Sequence, residues 1–126
     1  MKIRMKGSTV RLRLRRSEIE QLAANGRVDE TVNFAGGELV YSLVLDDGVR
    51  TSSADFNGSE ICVRLPKKQG LEWCQGTETT VSSAGVVPTV LIERDFVRSA
   101  VEEADDFDRF TNPRTGRTPP PPPPAA

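Results

Sequence analysis

The residues best suited to chemistry in this 126-residue chain are the cations of its opening: Lys2, Arg4 and Lys6, then Arg11 and Arg13, each followed by a residue of the opposite character. A guanidinium grips phosphate or carboxylate with two parallel hydrogen bonds and an ammonium acts as a point charge. Lys2, Arg4, Arg11 and Arg13 are therefore a candidate anion site, for a phosphorylated ligand or nucleic acid. A second concentration is acidic, with Glu102, Glu103, Asp105, Asp106 and Asp108 surrounding Phe107 and Phe110. Carboxylates with spaced aromatics suit docking on a basic surface of the same domain, of another copy or of another protein. This makes Asp105, Asp106, Phe107, Asp108 and Phe110 a candidate interaction segment. The acids lack the D-x-[DN]-x-[DN]-G spacing of a calcium loop.

What is missing narrows the chemistry further. The chain has no histidine, which removes the usual base of Ser-His-Asp and Cys-His catalysis. Cys62 and Cys74 are too few for a structural zinc site within one chain, and Cys62 reads as a small buried hydrophobe. Gly36-Gly37 belongs to neither phosphate-binding glycine motif, and no spacing of carboxylates singles out a catalytic pair. No catalytic residue, metal or cofactor is assigned. A formal charge of −1 and cations without interleaved aromatics argue against a general nucleic-acid binder. There is no apolar run long enough for a membrane span, and the opening lacks the core of a secretory signal; a cytoplasmic protein without a membrane partner is expected.

The elements that must position these groups follow from periodicity. Met1, Ile3 and Met5, then Val10, Leu12 and Leu14, alternate with the cations at the period of a strand. Gly7-Ser8 suits a type II′ turn, which pairs Lys6 with Thr9, Met5 with Val10 and Ile3 with Leu12. All the cations then share one face, with Arg4 opposite Arg11 and Lys2 opposite Arg13. Like charges so placed cost about 0.2–1 kcal/mol per pair, so acids are expected beside them: Glu30, Glu38 or Glu60 from neighbouring strands, or the acidic segment folded back. Ser17 to Glu20 reads as a capping box opening a helix that stops at Asn25-Gly26. Strands are expected over 27–34, 39–45, 50–56 and 60–65, with Asn57-Gly58 as a hairpin turn. A helix over 67–75 turns Leu71 and Trp73 or Cys74 inward, with Gly70 weakening it by about 1 kcal/mol. A last strand covers 89–96, and 77–87 has no clear pattern.

Together these give an α+β fold: a curved, mainly antiparallel sheet or partial barrel of six to seven strands with two short helices. Strand followed by helix occurs twice, from Val10 and again from Ile61, which hints at pseudo-symmetry. The compact domain is expected over 1–97, the acidic segment over 98–113, and a disordered proline-rich end over 114–126. Within that end, Pro119 to Pro124 form polyproline II, a spacer more than a ligand.

Met1-Lys2-Ile3-Arg4-Met5-Lys6-Gly7, Arg11-Leu12-Arg13-Leu14 and Ser17-Glu18-Ile19-Glu20-Gln21-Leu22 resemble the opening of a small bacterial family of unknown function. Ala54-Asp55-Phe56, Leu91 to Phe96 and Asp108 to Pro113 continue the resemblance. It implies a compact domain without an established activity and transfers no catalytic residue. Triphosphate-tunnel enzymes also carry alternating basic residues on strands, but their N-terminal E-x-E-x-K pattern is absent here. The leading expectation is a non-enzymatic protein-interaction or ligand-binding module, self-associating as a homo-oligomer through a strand edge or the acidic segment. The alternatives are anion binding on the basic face, and phosphoester or phosphoanhydride hydrolysis with a metal held by carboxylates.

Overall fold

The computed structural model describes residues 1–83, 85–96 and 106–124. The chain divides into a compact unit, Met1–Phe96, and a second unit, Val97–Ala126.

The compact unit opens with β1 (Lys2–Lys6) and β2 (Thr9–Leu14), paired in the expected register from Lys6–Thr9 to Lys2–Arg13. Gly7 has φ 55°, the positive value that a II′ turn requires at its first central position. The first helix, α1 (Arg16–Asn25), begins a residue before Ser17, with Arg15 as its N-cap. Glu18, not Glu20, reaches back to the cap and accepts the Arg15 N–H at 2.9 Å. At the far end Gly26 takes the left-handed conformation (φ 73°) and donates its N–H to the Leu22 carbonyl at 2.8 Å, a glycine C-cap as expected.

The chain continues through β3 (Arg27–Phe34), β4 (Gly37–Asp46), β5 (Ser53–Phe56), β6 (Glu60–Pro66), α2 (Lys67–Gln75), β7 (Thr80–Ser83) and β8 (Thr89–Arg94). In place of one curved sheet or partial barrel of six to seven strands, the described residues form eight strands in two open four-stranded sheets, ordered β1-β2-β8-β7 and β3-β4-β6-β5. The helices cause the difference. Each carries the chain from one sheet to the other, so that β2 lies parallel to β8 and β4 parallel to β6 at the sheet centres. Local turn signals specify hairpins but not these long-range pairs.

The hint of pseudo-symmetry becomes a repeat of topology: hairpin, helix, hairpin (β1 to β4), then the same again (β5 to β8). Each sheet joins the first hairpin of one half to the second hairpin of the other. Matching details recur. Gly58-Ser59 occupies the place of Gly7-Ser8, both glycines having positive φ. The Ser8 carbonyl accepts the Thr89 N–H at 2.8 Å and the Ser59 carbonyl the Val40 N–H at 3.0 Å. Asn57 thus precedes the central turn residues, and its Oδ1 accepts the Glu60 N–H at 2.9 Å.

The inner faces of both sheets and one face of each helix meet in a single core that includes Leu12, Leu14, Ile19, Leu22, Leu43, Val63, Leu65, Trp73, Val90 and Ile92. Each such side chain contributes about 1.5–3 kcal/mol by leaving water. Gly70 is part of this packing, contrary to its reading as a weak point. A Cβ there would lie 2.3 Å from Leu45 Cδ2 and 3.0 Å from Leu65 Cδ2, so only glycine lets α2 settle this closely on the second sheet.

In the second unit, Asp106–Asp108 form a short 3₁₀ turn. Further on, Asn112 and Arg117 close a loop, in which the Asn112 N–H donates to the Arg117 carbonyl at 2.9 Å and the Gly116 N–H to the Asn112 carbonyl at 2.8 Å.

Candidate functional site

The alternation of β1 and β2 places Lys2, Arg4, Arg11 and Arg13 on the outer face of the first sheet, with Arg4 opposite Arg11 and Lys2 opposite Arg13. Acids do stand beside them, but they come from the end of the compact unit. Arg11 Nε lies 2.9 Å from Glu93 Oε1 and Lys2 Nζ 3.2 Å from Asp95 Oδ2. Parallel pairing with β8 sets Arg13 beside Glu93 in register. Glu30, Glu38 and Glu60, the acids expected there, belong to the other sheet. The signal that could have found Glu93 is its alternation with the apolar Val90 and Ile92, which puts Leu91, Glu93 and Asp95 together on the outer face; what the sequence lacks is any sign that β8 lies next to β2.

The outer face of the second sheet carries a polar network that residue types alone did not single out. Arg27 Nε donates to Asp29 Oδ1 at 2.8 Å, and its Nη2 to Ser42 Oγ and Glu60 Oε1 at 3.2 Å each. Ser42, fully buried, donates to the same Glu60 oxygen at 3.0 Å. Arg64 pairs with Asp46 at 3.0 Å and more loosely with Asp55 at 3.8 Å. The Gly48 N–H and Arg64 hold the Asp46 carboxyl below its usual range. A shallow basin of about 410 Å³ lies between these groups, and Cys62 lines it. Cys62 therefore faces outward, half-buried, and not into the core. Burial pushes its thiol up, and the nearby Arg64 only partly offsets this, which leaves it a poor nucleophile. Both arginines of the basin are already paired with acids, Arg27 with Asp29 and Glu60 and Arg64 with Asp46 and Asp55, so neither is left free to hold an anion.

A third cluster lies inside. The Met1 ammonium is paired with Glu18 and, at 2.7 Å, with Glu30, while Tyr41 donates its hydroxyl to the Met1 carbonyl at 2.7 Å. Desolvation alone would lower the ammonium's pKa, but hydrogen bonds and charge from Glu18 and Glu30 raise it above its ordinary value. Desolvation likewise opposes the net lowering of Glu18, which its bonds to the ammonium and to the Arg15 N–H produce. These bonds tie α1, β3 and β4 together around the Met1 ammonium. Among the described residues, no three Cys, Asp or Glu side chains converge as metal ligands do.

The sheet edges differ more than the faces. The outer strands are β1 and β7 in the first sheet, β3 and β5 in the second. Edge strands need protection because their unpaired backbone groups attract further strands. Three cations, Lys2, Arg4 and Lys6, guard β1, while β5 and β7 are four residues each. By contrast β3 runs for eight residues, has no proline, lysine or arginine after Arg27, and ends in two apolar side chains exposed to solvent, Val32 at 39% and Phe34 at 62%.

Of the expected interaction segment, Asp105 lies outside the described residues, as does the side chain of Asp106. Phe107 and Asp108 complete the 3₁₀ turn, and Phe110 is 97% exposed.

An α+β domain of two open sheets, with charge-paired outer faces and one long edge strand that no lysine, arginine or proline guards after Arg27, is the class of protein these features define. The chain belongs to a family of unknown function (DUF7009), whose model matches residues 1–114. Nothing among the curated proteins or the solved structures matches it. Among the described residues, no helix is long and apolar enough to cross a membrane.

Proposed function

We propose that this chain is a non-catalytic interaction module that accepts an extended strand along the outer edge of β3. The edge itself carries the reading: eight residues of edge strand with no lysine, arginine or proline after Arg27, its remaining charges being Asp29 and Glu30, and with Val32 and Phe34 exposed at one end. In strand addition, backbone hydrogen bonds supply affinity and alternate side chains supply selectivity. The test is an NMR titration with a short peptide of alternating Thr and Val carrying charged ends. Amide shifts and slowed hydrogen exchange confined to β3 are expected, and unchanged β3 amides at millimolar peptide would rule the reading out.

A second reading is supported by the register that gathers Lys2, Arg4, Arg11 and Arg13 on one face. It is an anion site in which a phosphate displaces Glu93 and Asp95 from Arg11 and Lys2. A duplex oligonucleotide held by four such charges would lose affinity on the order of 100-fold between about 50 and 200 mM salt. A flat salt response would remove this reading.

A further inference from the structure

We infer that the strand accepted at the β3 edge is β3 of a second copy of this chain, antiparallel and centred on Thr31. The inference rests on reading β3 as the open edge, and adds the partner and its register.

Two β3 strands related by a twofold axis must oppose residues of the same parity, because side chains facing each other across an antiparallel pair lie on the same side of the sheet. Centring the axis on Asp29 or Glu30 would set a carboxylate against its own copy, which is repulsive. Centring it on Thr31 sets Thr31 against Thr31, Asp29 against Asn33, Glu30 against Val32, and Val28 against Phe34. Each pair is compatible. Threonine pairs well with itself across strands. Glu30 brings no free charge to the partner's Val32, because it already holds the Met1 ammonium. Phe34, exposed in the single chain, falls opposite the partner's Val28, which is buried in its own core, so this pair sets no charge against the ring. The product is a continuous eight-stranded sheet closed by a single twofold axis, so association stops at the dimer.

The other edges do not offer this. Any same-parity pairing of β1 with itself opposes cations from Lys2, Arg4 and Lys6, and β5 and β7 are half the length of β3.

The register makes Thr31 the one position at which a residue meets its own copy. Opposed Cα atoms in an antiparallel pair lie about 4.5–5.5 Å apart, within the span of a disulfide. Two copies of position 33 would stand about 14 Å apart along the strands. The experiment uses the full chain. Thr31→Cys is expected to form a disulfide-linked dimer under mild oxidation, whereas Asn33→Cys and the unaltered chain, with its half-buried Cys62 and Cys74, do not. Thr31→Lys and Thr31→Asp alone should each be monomers by light scattering, and a mixture of the two should restore a dimer. Because Thr31 is exposed, neither substitution touches the core.

A dimer of the unaltered chain that persists in Thr31→Lys and Thr31→Asp alone would overturn the inference. So would a chain that is monomeric at all concentrations. In the latter case the Thr-Val peptide separates the two claims. Protection of β3 by the peptide leaves the open edge standing and removes only the second copy, while no protection removes both.

Discussion

The two halves of the compact unit share one order of elements and solve the same problems with different residues. At the helix ends, α1 is closed by Gly26 in the left-handed conformation, whereas Gly76 after α2 is extended (φ −89°). The α2 carbonyls are satisfied instead by Arg94, whose Nη2 donates to the Trp73 and Gly76 carbonyls at 2.6 and 2.9 Å and whose guanidinium lies 5.1 Å from the Trp73 ring centre. A cation at a helix C-terminus also complements the helix dipole. On the inner side of the helices, α1 buries Ile19 and Leu22 where α2 buries Gly70 and Trp73. A medium pair on one side and a very small with a very large residue on the other fill comparable space. The lesson is that topology fixes which positions need a solution, while the choice of residue sets how closely each helix can approach.

The largest effect should come from disturbing that paired packing. Ile19→Ala leaves a cavity in the core and is expected to destabilise by about 2–4 kcal/mol. Gly70→Ala, at the matching place in α2, is expected to cost about 1–3 kcal/mol by overpacking against Leu45 and Leu65. Denaturant unfolding measures both. If Gly70→Ala were neutral or stabilising, the close seat of α2 would be wrong.

Next comes the contrast between helix ends. Arg94→Leu removes charge-assisted bonds to three carbonyls, including that of Glu78, and should cost about 1.5–3 kcal/mol. Gly26→Ala must hold an L-residue at φ 73° and should cost about 1–2 kcal/mol. Thermal unfolding with amide exchange should show fraying of α2 in the first variant and of α1 in the second.

The Met1 cluster belongs to the first half alone, and its matching position in the second half, Ser52, is buried without a charge. Glu18 contributes stability that is complete above its ordinary value of 4.5 and is lost as pH falls through its lowered folded value. The Met1 ammonium contributes stability that is complete below its ordinary value of 8.0 and is lost as pH rises through its raised folded value. Both terms are therefore present between those two ordinary values. Glu18→Gln should cost about 1.5–3 kcal/mol at neutral pH, with the difference from the unaltered chain shrinking in both acid and alkali. A pH-independent difference would place the effect of Glu18 elsewhere.

The smallest effect concerns the outer faces. Glu93→Gln breaks a partly exposed pair with Arg11 and should change stability by about 0.2–1 kcal/mol. The same variant should tighten oligonucleotide binding if the basic face binds anions, and leave it unchanged if that face is only a charge-balanced surface.

Much of this was legible along the chain. The β1–β2 hairpin, its register and its cationic face follow from strict alternation around Gly7-Ser8, because a two-residue turn leaves one register open. The span of α2 was legible as well, but of the residues expected to face inward, Leu71 and Trp73 or Cys74, only Trp73 is fully buried, and Gly70 takes the other inward place. The start of α1 was misplaced because two glutamates, Glu18 and Glu20, offer a capping carboxylate and the fold selects the one that also meets Met1. The four residues of β7, Thr80–Ser83, carry too few side chains to show a period.

Alternation and turn chemistry by themselves determined the β1–β2 hairpin, the helices to within a residue and the charged character of β1 and β2, since these depend on neighbours a few residues away. Only the tertiary structure decided that the strands divide into two sheets, that Glu93 and Asp95 are the acids that meet the opening cations, and that β3 is left as the open edge. Those outcomes depend on β2 meeting β8 and β4 meeting β6, and such parallel pairing is set by where the helices deliver the chain and by core packing, neither of which is written in any local stretch of residues.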